Sequence, residues 1–119
     1  MIVAYRVQGP DGRGPWRPGW SHTWIDAEAP PDRLTETIMD LIPAYELRRL
    51  PPGMAYGCAC KTLADLMRWF TPHEKGLLKT YGFHPVRLVA DVILASSEWQ
   101  MLIGRTRPFS EGATRVSWR

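Results

Sequence analysis

The sequence lacks the features that mark a membrane protein or a secreted, disulfide-bonded scaffold. Its uncharged apolar runs, such as residues 1–5 and 92–95, are far shorter than the stretch of about 20 residues that a membrane-spanning helix needs. The first residues show no basic flank followed by an apolar region and a small-residue cleavage site, so no signal peptide is expected. Cysteine occurs only twice in 119 residues. We therefore expect a cytoplasmic protein.

The two cysteines, Cys58 and Cys60, do not predict a disulfide or a metal site. They are too close in sequence for an ordinary disulfide, and in a strand both would point to the same face. Zinc would need further ligands from His22, His73 or His84, and none of these has zinc-finger spacing. We expect two reduced thiols and no metal ion.

Positive charge is modest and unevenly distributed. The net charge is +3. Residues 1–60 hold six Lys and Arg against seven acidic residues, whereas residues 61–119 hold nine against five. The most basic part is the tail, which contains one glutamate, Glu111, and four arginines: Arg105, Arg107, Arg115 and Arg119. Such a tail could meet phosphates or an acidic partner, but it lacks the dense interleaving with aromatics that single-strand binders show. Nucleic acid is therefore a weak alternative ligand.

No motif of a common enzyme class is present. The chain has no phosphate loop of the Walker type and no dinucleotide fingerprint. It also has no His-Glu-x-x-His and no nucleophile elbow. Any catalytic function must therefore be inferred from weaker groups of residues.

An aromatic, glycine-rich segment is the most unusual feature that the chain does contain. Residues 9–24 hold three Trp, two Arg, four Gly, three Pro and one His. Trp16, Trp20 and Trp24 have helical spacing, but the prolines and glycines between them exclude a regular helix. We predict a long loop over residues 9–31. Long loops in small domains are usually functional or disordered, and three tryptophans argue against disorder. Two interpretations stay open: a binding surface, or a hydrophobic flap that closes the core.

The remaining pattern predicts a single compact α+β domain over residues 1–119, with a small, mostly antiparallel sheet of about five strands and three to four short helices. The β-branched and aromatic runs, bounded by turn residues, predict five strands, at residues 2–8, 54–60, 83–93, 98–103 and 114–118.

Capping residues and apolar spacing predict the helices. Asp32 can cap a first helix whose apolar face would include Ile38, and residues 44–50 would form a second short turn. Thr62 precedes a third helix, with an apolar stripe over residues 63–70. The sequence Thr-Pro-His-Glu at 71–74 predicts a fourth helix that runs to residue 81 and ends at a glycine.

Three groups of residues are candidates for a site. On the first strand, Tyr5 precedes Arg6, and an arginine on an interior strand needs an anionic partner or a bound phosphate; an exposed arginine on an edge strand is the alternative. Glu98 and Gln100 would share one face of a late strand, although a solvated sheet face has the same pattern.

The third group is the small-residue strand from Tyr56 to Cys60, which includes Gly57 and Cys58 and runs into the helix that begins at Thr62. Small residues there would let a ligand approach the backbone, although Gly57 could instead mark a β-bulge. In the tryptophan loop, His22 is a candidate for binding or acid–base chemistry.

The order of these elements resembles an ADP-ribosyltransferase-like fold: a strand with Tyr-Arg, a Gly-rich aromatic loop, a helix, a small-residue strand entering a helix, a strand, and a strand with Glu-x-Gln. Residues 58–83 also resemble small uncharacterised bacterial and phage proteins with a Cys-Gly-Phe-x-Ser-Leu-type strand–helix junction. The resemblance covers most of the chain in element order and a few residues in identity. Where the family has Glu-x-Glu, this chain has Glu98-Trp99-Gln100.

The resemblance implies a domain that binds NAD or a related nucleotide and that modifies a macromolecular target. Arg6 would contact phosphate, and Trp16 or Trp20 would stack on a base. Glu98 or Gln100 would occupy the catalytic position, where a carboxylate would stabilise the positive charge that develops on the ribose. The remaining cofactor-binding candidates are Tyr5, His22, Tyr56 and Cys58.

A non-enzymatic interaction protein is the alternative function. Trp and Arg dominate the energetics of protein interfaces, and the loop carries both. A phage or mobile-element inhibitor of a host defence complex would have this character, as would a small adaptor or a toxin–antitoxin component. In that case the loop would bind a protein partner.

Overall fold

The computed structural model describes residues 1–30 and 33–118. Within this part of the chain, six strands pair antiparallel in two three-stranded sheets. In the first sheet, β3 (His84–Ala90) lies between β1 (Ile2–Gln8) and β6 (Thr114–Arg115). In the second, β5 (Met101–Arg105) lies between β2 (Ala55–Ala59) and β4 (Val92–Ser96).

Four short helices and one 3₁₀ turn complete the described fold. The helices are α1 (Ile38–Leu41), α2 (Ala44–Leu47), α3 (Leu63–Met67) and α4 (Pro72–Thr80), and the 3₁₀ turn is Ser21–Thr23. The α+β prediction is confirmed, with six strands in two small sheets instead of about five in one. In the described residues no helix is both long enough and apolar enough to cross a membrane.

Local hydrogen bonds explain why α4 begins and ends where the sequence predicts. The Glu74 amide donates to Thr71 Oγ1 at 3.2 Å, and Glu74 Oε1 accepts from the Thr71 amide at 2.9 Å. Pro72 occupies the first turn, where its missing N–H costs nothing. Gly82 follows with a φ of +86°, a conformation that glycine adopts without a Cβ penalty.

The first helix begins later than predicted. It starts at Ile38, and the Thr37 amide donates to Asp40 Oδ2 at 2.7 Å to cap it. Residues 33–37 are irregular. The predicted cap, Asp32, lies outside the described residues.

The predicted strand over residues 83–93 is wrong, because Asp91 divides it into β3 and β4. The Asp91 amide donates to Gly104 O at 2.9 Å, and Asp91 Oδ2 accepts from the Thr106 amide at 2.6 Å. These bonds turn the chain out of the first sheet and into the second.

Three other strands, β2, β5 and β6, also have boundaries that differ from the predictions. Strand β5 begins at Met101 instead of 98, because Ser97 Oγ accepts from the Trp99 and Gln100 amides at 3.0 and 3.3 Å and holds a turn there. Glu98 and Gln100 therefore precede the strand and do not share one of its faces. Strand β6 comprises only two residues. Strand β2 ends at Ala59.

The two sheets meet where β1 passes β2. The Tyr5 amide donates to Cys60 O at 2.9 Å, and the Cys60 amide donates to Tyr5 O at 2.8 Å. One apolar cluster is rich in aromatic side chains and includes Trp24, Trp69 and Phe70. A second cluster includes Leu88 and Ile103. Because β1 has neighbours on both sides, its inward side chains are shielded from water.

Candidate functional site

A cleft of about 910 Å³ lies beside the junction of β1 and β2. Residues of both strands line it, together with the long loop, the irregular segment before α1, and the end of α3 with the residues that follow it. Its aromatic lining residues are Trp16, Tyr56, Trp69, Phe70 and Phe109, and its aliphatic ones include Ile25, Leu34, Ile38 and Leu66. A concave, mostly apolar surface with a few polar groups is typical of small-molecule sites.

Arg6 is the buried cation of this cleft. Its side chain is only 8% exposed, so the alternative of an exposed edge arginine is wrong. Its Nη1 donates to Gln8 Oε1 at 3.2 Å and to Gly12 O at 3.0 Å, and its Cζ lies 4.1 Å from the centroid of the Phe109 ring. Within the described residues, no carboxylate pairs with Arg6 and its Nε has no partner.

Burial destabilises the charged form of the Arg6 side chain. Loss of water around the guanidinium lowers its pKa to about 10. The group is still protonated at neutral pH, and an unpaired buried charge costs free energy. An anionic ligand in the cleft would remove that cost.

Gly57 provides the space that Arg6 occupies. The pairing of β2 with β5 is regular from Ala55 to Ala59, so the interpretation of Gly57 as a β-bulge is wrong. A Cβ at this position would lie 3.0 Å from Arg6 Nη2 and 3.1 Å from Phe109 Cε2. Because Gly57 has no side chain, the guanidinium of Arg6, and not a ligand, packs against the backbone at this position.

Two carboxylate residues line the same cleft, Asp26 and Glu36, and Glu36 is the one held by the turn before β5. Its Oε1 accepts from Ser97 Oγ at 2.6 Å and from Gln100 Nε2 at 3.1 Å. Gln100 Nε2 also lies 3.2 Å from Glu36 O. Gln100 thus holds the Glu36 side chain and backbone in place.

Cys58 is near both charged groups. Burial raises the pKa of its thiol, the Arg6 charge lowers that pKa and the Glu36 charge raises it. Burial also raises the pKa of Cys60 to about 12. Both cysteines are free, and both stay protonated at neutral pH, which makes them poor nucleophiles.

The tryptophan loop is largely a flap over the core. Trp24 is fully buried, and its Nε1 donates to Pro15 O at 3.1 Å. Trp20 packs on Phe83, with the ring centroids 5.3 Å apart. Trp16 is half-exposed and lines the cleft, with its ring 4.6 Å from that of Trp24 in an edge-to-face arrangement. It is the one ring of the three that lines the cleft.

A buried ion pair ties the far end of this loop to α4. Arg33 donates to Glu74 Oε2 at 2.7 Å and to Oε1 at 3.1 Å, and the Asp26 amide donates to Oε2 at 2.8 Å. Both Asp26 and Arg33 line the cleft. This side of the cleft is therefore held in place by Glu74.

The structure brings together five of the nine site residues expected from the sequence. The five that line the cleft are Arg6, Trp16, Tyr56, Cys58 and Gln100. The other four, Tyr5, Trp20, His22 and Glu98, do not line it. Tyr5 alternates with Arg6 along β1 and packs against the aromatic cluster, whereas His22 and Glu98 are exposed.

Several lining residues were not singled out from the sequence as site candidates. Glu36 and Arg33 lie in an irregular segment that was predicted to be helical, and Phe109 lies far along the chain from Arg6. The basic tail is also altered by folding: Arg105 is fully buried, Arg107 and Arg115 are exposed, and Arg119 lies outside the described residues.

The fold and the cleft define a small α+β protein with a ligand-sized cavity at the junction of two antiparallel sheets. Over residues 1–30 and 33–118, no group of three or more His, Cys, Asp or Glu side chains could hold a metal ion. Comparison with family models, with curated proteins and with solved structures finds no match to this chain.

Proposed function

We propose that the cleft binds NAD or a related nucleotide and that the chain is an ADP-ribosyltransferase-like domain. The observation that carries the proposal is the state of Arg6: buried, charged, without a carboxylate partner among the described residues, and at the edge of the cleft. A diphosphate would supply the missing anion, since guanidinium groups bind phosphate through paired hydrogen bonds.

The aromatic lining supports a nucleotide over a simple anion. Trp16, Trp69 and Phe70 line the same cleft as Arg6, and such rings stack on the flat faces of bases. A volume of about 910 Å³ lies within the usual range for small-ligand sites, about 300–1,000 Å³. Base, ribose and phosphate would each find a suitable surface.

The transferase half of the proposal rests on the resemblance of the element order. In that reaction the bond between C1′ of the ribose and the nicotinamide nitrogen breaks, and the electron pair leaves with nicotinamide. A nucleophile on a macromolecular target then bonds to C1′ and loses its proton. A carboxylate beside C1′ would stabilise the developing positive charge. Glu98 is exposed outside the cleft and Gln100 is neutral, so neither supplies that charge from its present position.

A thermal-shift titration with NAD, and with ADP-ribose as second ligand, tests the binding. Selective binding to the folded state stabilises it by about 2.7 kcal/mol at a ligand concentration 100 times the Kd, so the melting temperature should rise and saturate. Arg6→Met should abolish the rise. The matched control is Arg105→Met, because Arg105 is also fully buried with unpaired nitrogens and does not line the cleft.

Two results would overturn the proposal. One is the absence of any shift of the natural sequence with either ligand at millimolar concentration. The other is an equal shift in Arg6→Met and in the natural sequence. A loss of the shift in Arg105→Met as well would mean that general destabilisation, and not the cleft, is being measured.

The exposure of Trp16 favours a protein-interaction function as the second candidate. At 50% exposure this ring could anchor a protein partner, as an inhibitor of a host defence complex would require. Trp16→Ala should then abolish capture of a purified candidate partner and leave the melting temperature of the ligand-free protein nearly unchanged. Retained capture would exclude this function. Binding of nucleic acid through the tail is the weakest proposal, and it requires affinity that falls steeply with salt.

We also propose that the protein is cytoplasmic, as expected from the sequence. Both cysteines are free thiols, which is the usual state in a reducing compartment.

A further inference from the structure

A group of aromatic rings lies outside the cleft, at the end of α4. Tyr81 is the C-terminal cap of this helix and is 45% exposed. Its ring lies 5.8 Å from that of Trp20, edge to face, and Trp20, which is partly exposed, packs on Phe83. Trp118 Nε1 donates to Phe83 O at 3.3 Å. The residues that line the cleft include none of these four.

Two cations from different parts of the chain lie beside these rings. Lys79 is in the last turn of α4, and its carbonyl accepts from the Gly82 amide at 3.1 Å. Arg115 is on β6, and the residue after it donates its amide to Pro85 O at 2.9 Å. Both side chains are exposed, and within the described residues neither forms an ion pair. Both cations therefore border the segment that carries Phe83.

His84 confirms that the two cations are close to each other. Burial lowers the pKa of its imidazole, and the positive charges of Arg115 and Lys79 lower that pKa further. The backbone contacts of the two cations place them on either side of this residue in the fold, at Gly82 and at Pro85. Two positive charges thus lie near one side chain.

The sequence around these cations contains no negative charge. Residues 75–90 and 112–119 hold five Lys and Arg and no Asp or Glu. Arg17 also packs on the ring of Trp20, with its Cζ 5.6 Å from the centroid, but Arg17 pairs with Asp11 at 3.7 Å and adds little net charge. The positive potential of this surface therefore comes mainly from Lys79 and Arg115.

We propose that Trp20, Tyr81, Lys79 and Arg115 form a binding surface for single-stranded nucleic acid. The basic tail has few aromatic neighbours in the sequence, but the fold places beside it a ring from the tryptophan loop and a ring from α4. Cations neutralise phosphates, and exposed rings stack on unpaired bases. A duplex keeps its bases stacked within the helix, and an acidic protein segment has no bases to stack. The surface lies outside the cleft, so this inference does not rest on the proposed function.

Fluorescence anisotropy with a labelled oligo(dT) strand of about 12 nucleotides tests the proposal. The natural sequence should bind the strand at low salt. The logarithm of the association constant should fall with the logarithm of the salt concentration with a slope of about −1.4, the value for two neutralised phosphates of a single strand. An excess of ADP-ribose should leave this binding unchanged, whether or not ADP-ribose occupies the cleft.

Two pairs of variants separate this surface from general effects. Tyr81→Ala removes a stacking ring and should weaken binding roughly 5- to 150-fold, whereas Tyr45→Ala, which removes an exposed tyrosine of α2, should bind as the natural sequence does. Arg115→Gln should reduce the steepness of the salt dependence by about 0.7, whereas Arg48→Gln, at the exposed end of α2, should not change it. If Tyr81→Ala does not fold, the exposed pair Arg115 and Arg48 still provides the test.

Several outcomes would overturn this inference. One is the absence of binding at low salt with the protein at about 100 μM, the weak end of non-specific affinities. Equal affinity for a duplex of the same length would exclude recognition of unpaired bases, and equal competition by polyglutamate would indicate an acidic protein partner instead. Displacement of the strand by ADP-ribose would place it in the cleft. None of the four variants changes a residue that lines the cleft, so the proposed nucleotide site is tested separately.

Discussion

Arg33 and Glu74 form a bidentate ion pair, with nitrogen–oxygen distances of 2.7 and 3.1 Å. The carboxylate is fully buried, and 16% of the Arg33 side chain is exposed. Glu74 also accepts from the backbone amides of Asp26 and Thr71. The Glu74 side chain thus caps α4 and also holds Asp26 and Arg33, two residues that line the cleft, in place.

Glu74→Gln should destabilise the protein strongly. The substitution leaves the Arg33 charge largely buried without its counter-ion, and breaking a buried pair in this way costs about 3–5 kcal/mol. Urea unfolding followed by tryptophan fluorescence measures the loss. The matched control is Asp11→Asn, which breaks the more exposed Arg17–Asp11 pair, 3.7 Å long; it should cost less than about 1 kcal/mol. Equal losses of unfolding free energy in the two variants would mean that the buried Arg33–Glu74 pair contributes no more to stability than the exposed pair.

Gly57→Ala should weaken both stability and nucleotide binding. The added methyl group would lie too close to Arg6 and Phe109, and overpacking of this kind costs about 1–3 kcal/mol. Gly76→Ala provides the opposite control. In α4 a methyl group at Gly76 meets nothing within 4 Å, so it should stabilise by about 0.5–1 kcal/mol and leave binding unchanged. Unaltered binding by Gly57→Ala would argue against Arg6 as the anion-binding group.

The two tryptophans Trp16 and Trp24 should respond differently to truncation. Trp24 is fully buried, and Trp24→Ala should cost about 3–5 kcal/mol. Trp16 is half-exposed, and Trp16→Ala should cost less than Trp24→Ala, because about half of the Trp16 surface is already in water and its losses are the remaining burial and the ring contacts with Trp24 and Phe70. Thermal unfolding of both variants measures the difference. A larger loss for Trp16 would place it in the core and would remove it as a ligand-binding ring.

The alkylation of Cys58 should report the two charges of the cleft. In a Cys60→Ala background, the pH midpoint of the reaction with iodoacetamide follows the pKa of Cys58, because only the thiolate reacts. Burial raises that pKa, so the reaction should be slow at neutral pH and should accelerate only as the pH rises above the ordinary range of a thiol.

The direction in which Arg6→Met and Glu36→Gln shift the pH midpoint of Cys58 alkylation follows from the charge that each variant removes. Arg6→Met removes a cation that stabilises the thiolate, so the midpoint should move up; Glu36→Gln removes an anion that opposes it, so the midpoint should move down. Glu98→Gln should leave it in place. Movement of the Arg6 and Glu36 variants in the same direction would contradict the arrangement described for the cleft.

Elements defined by local hydrogen bonds could be predicted from the sequence. Helix α4 is specified within a dozen residues, because its cap at Thr71 and its end at Gly82 depend on neighbours in the chain. The break at Asp91 could not be predicted in this way. The alternating pattern of β3 continues through it, and the bond that turns the chain comes from Thr106.

The site was predictable only in part for the same reason. Arg6 stood out because a charged residue interrupts an apolar strand, and its burial follows from the position of β1. Glu36 had no local signal. Its place in the cleft depends on Ser97 and Gln100, which are 61 and 64 residues away in the chain, and no periodic pattern encodes that pairing.

The surroundings of Arg6 come from distant parts of the chain. Gln8, which accepts from Arg6, donates in turn to the backbone of Phe109 at a separation of 101 residues, and the Phe109 ring covers the guanidinium. During synthesis on the ribosome, Arg6 therefore emerges long before the ring that will cover it. The nascent chain carries an ordinary solvated arginine, and the buried environment of Arg6 forms only after Phe109 has been synthesised.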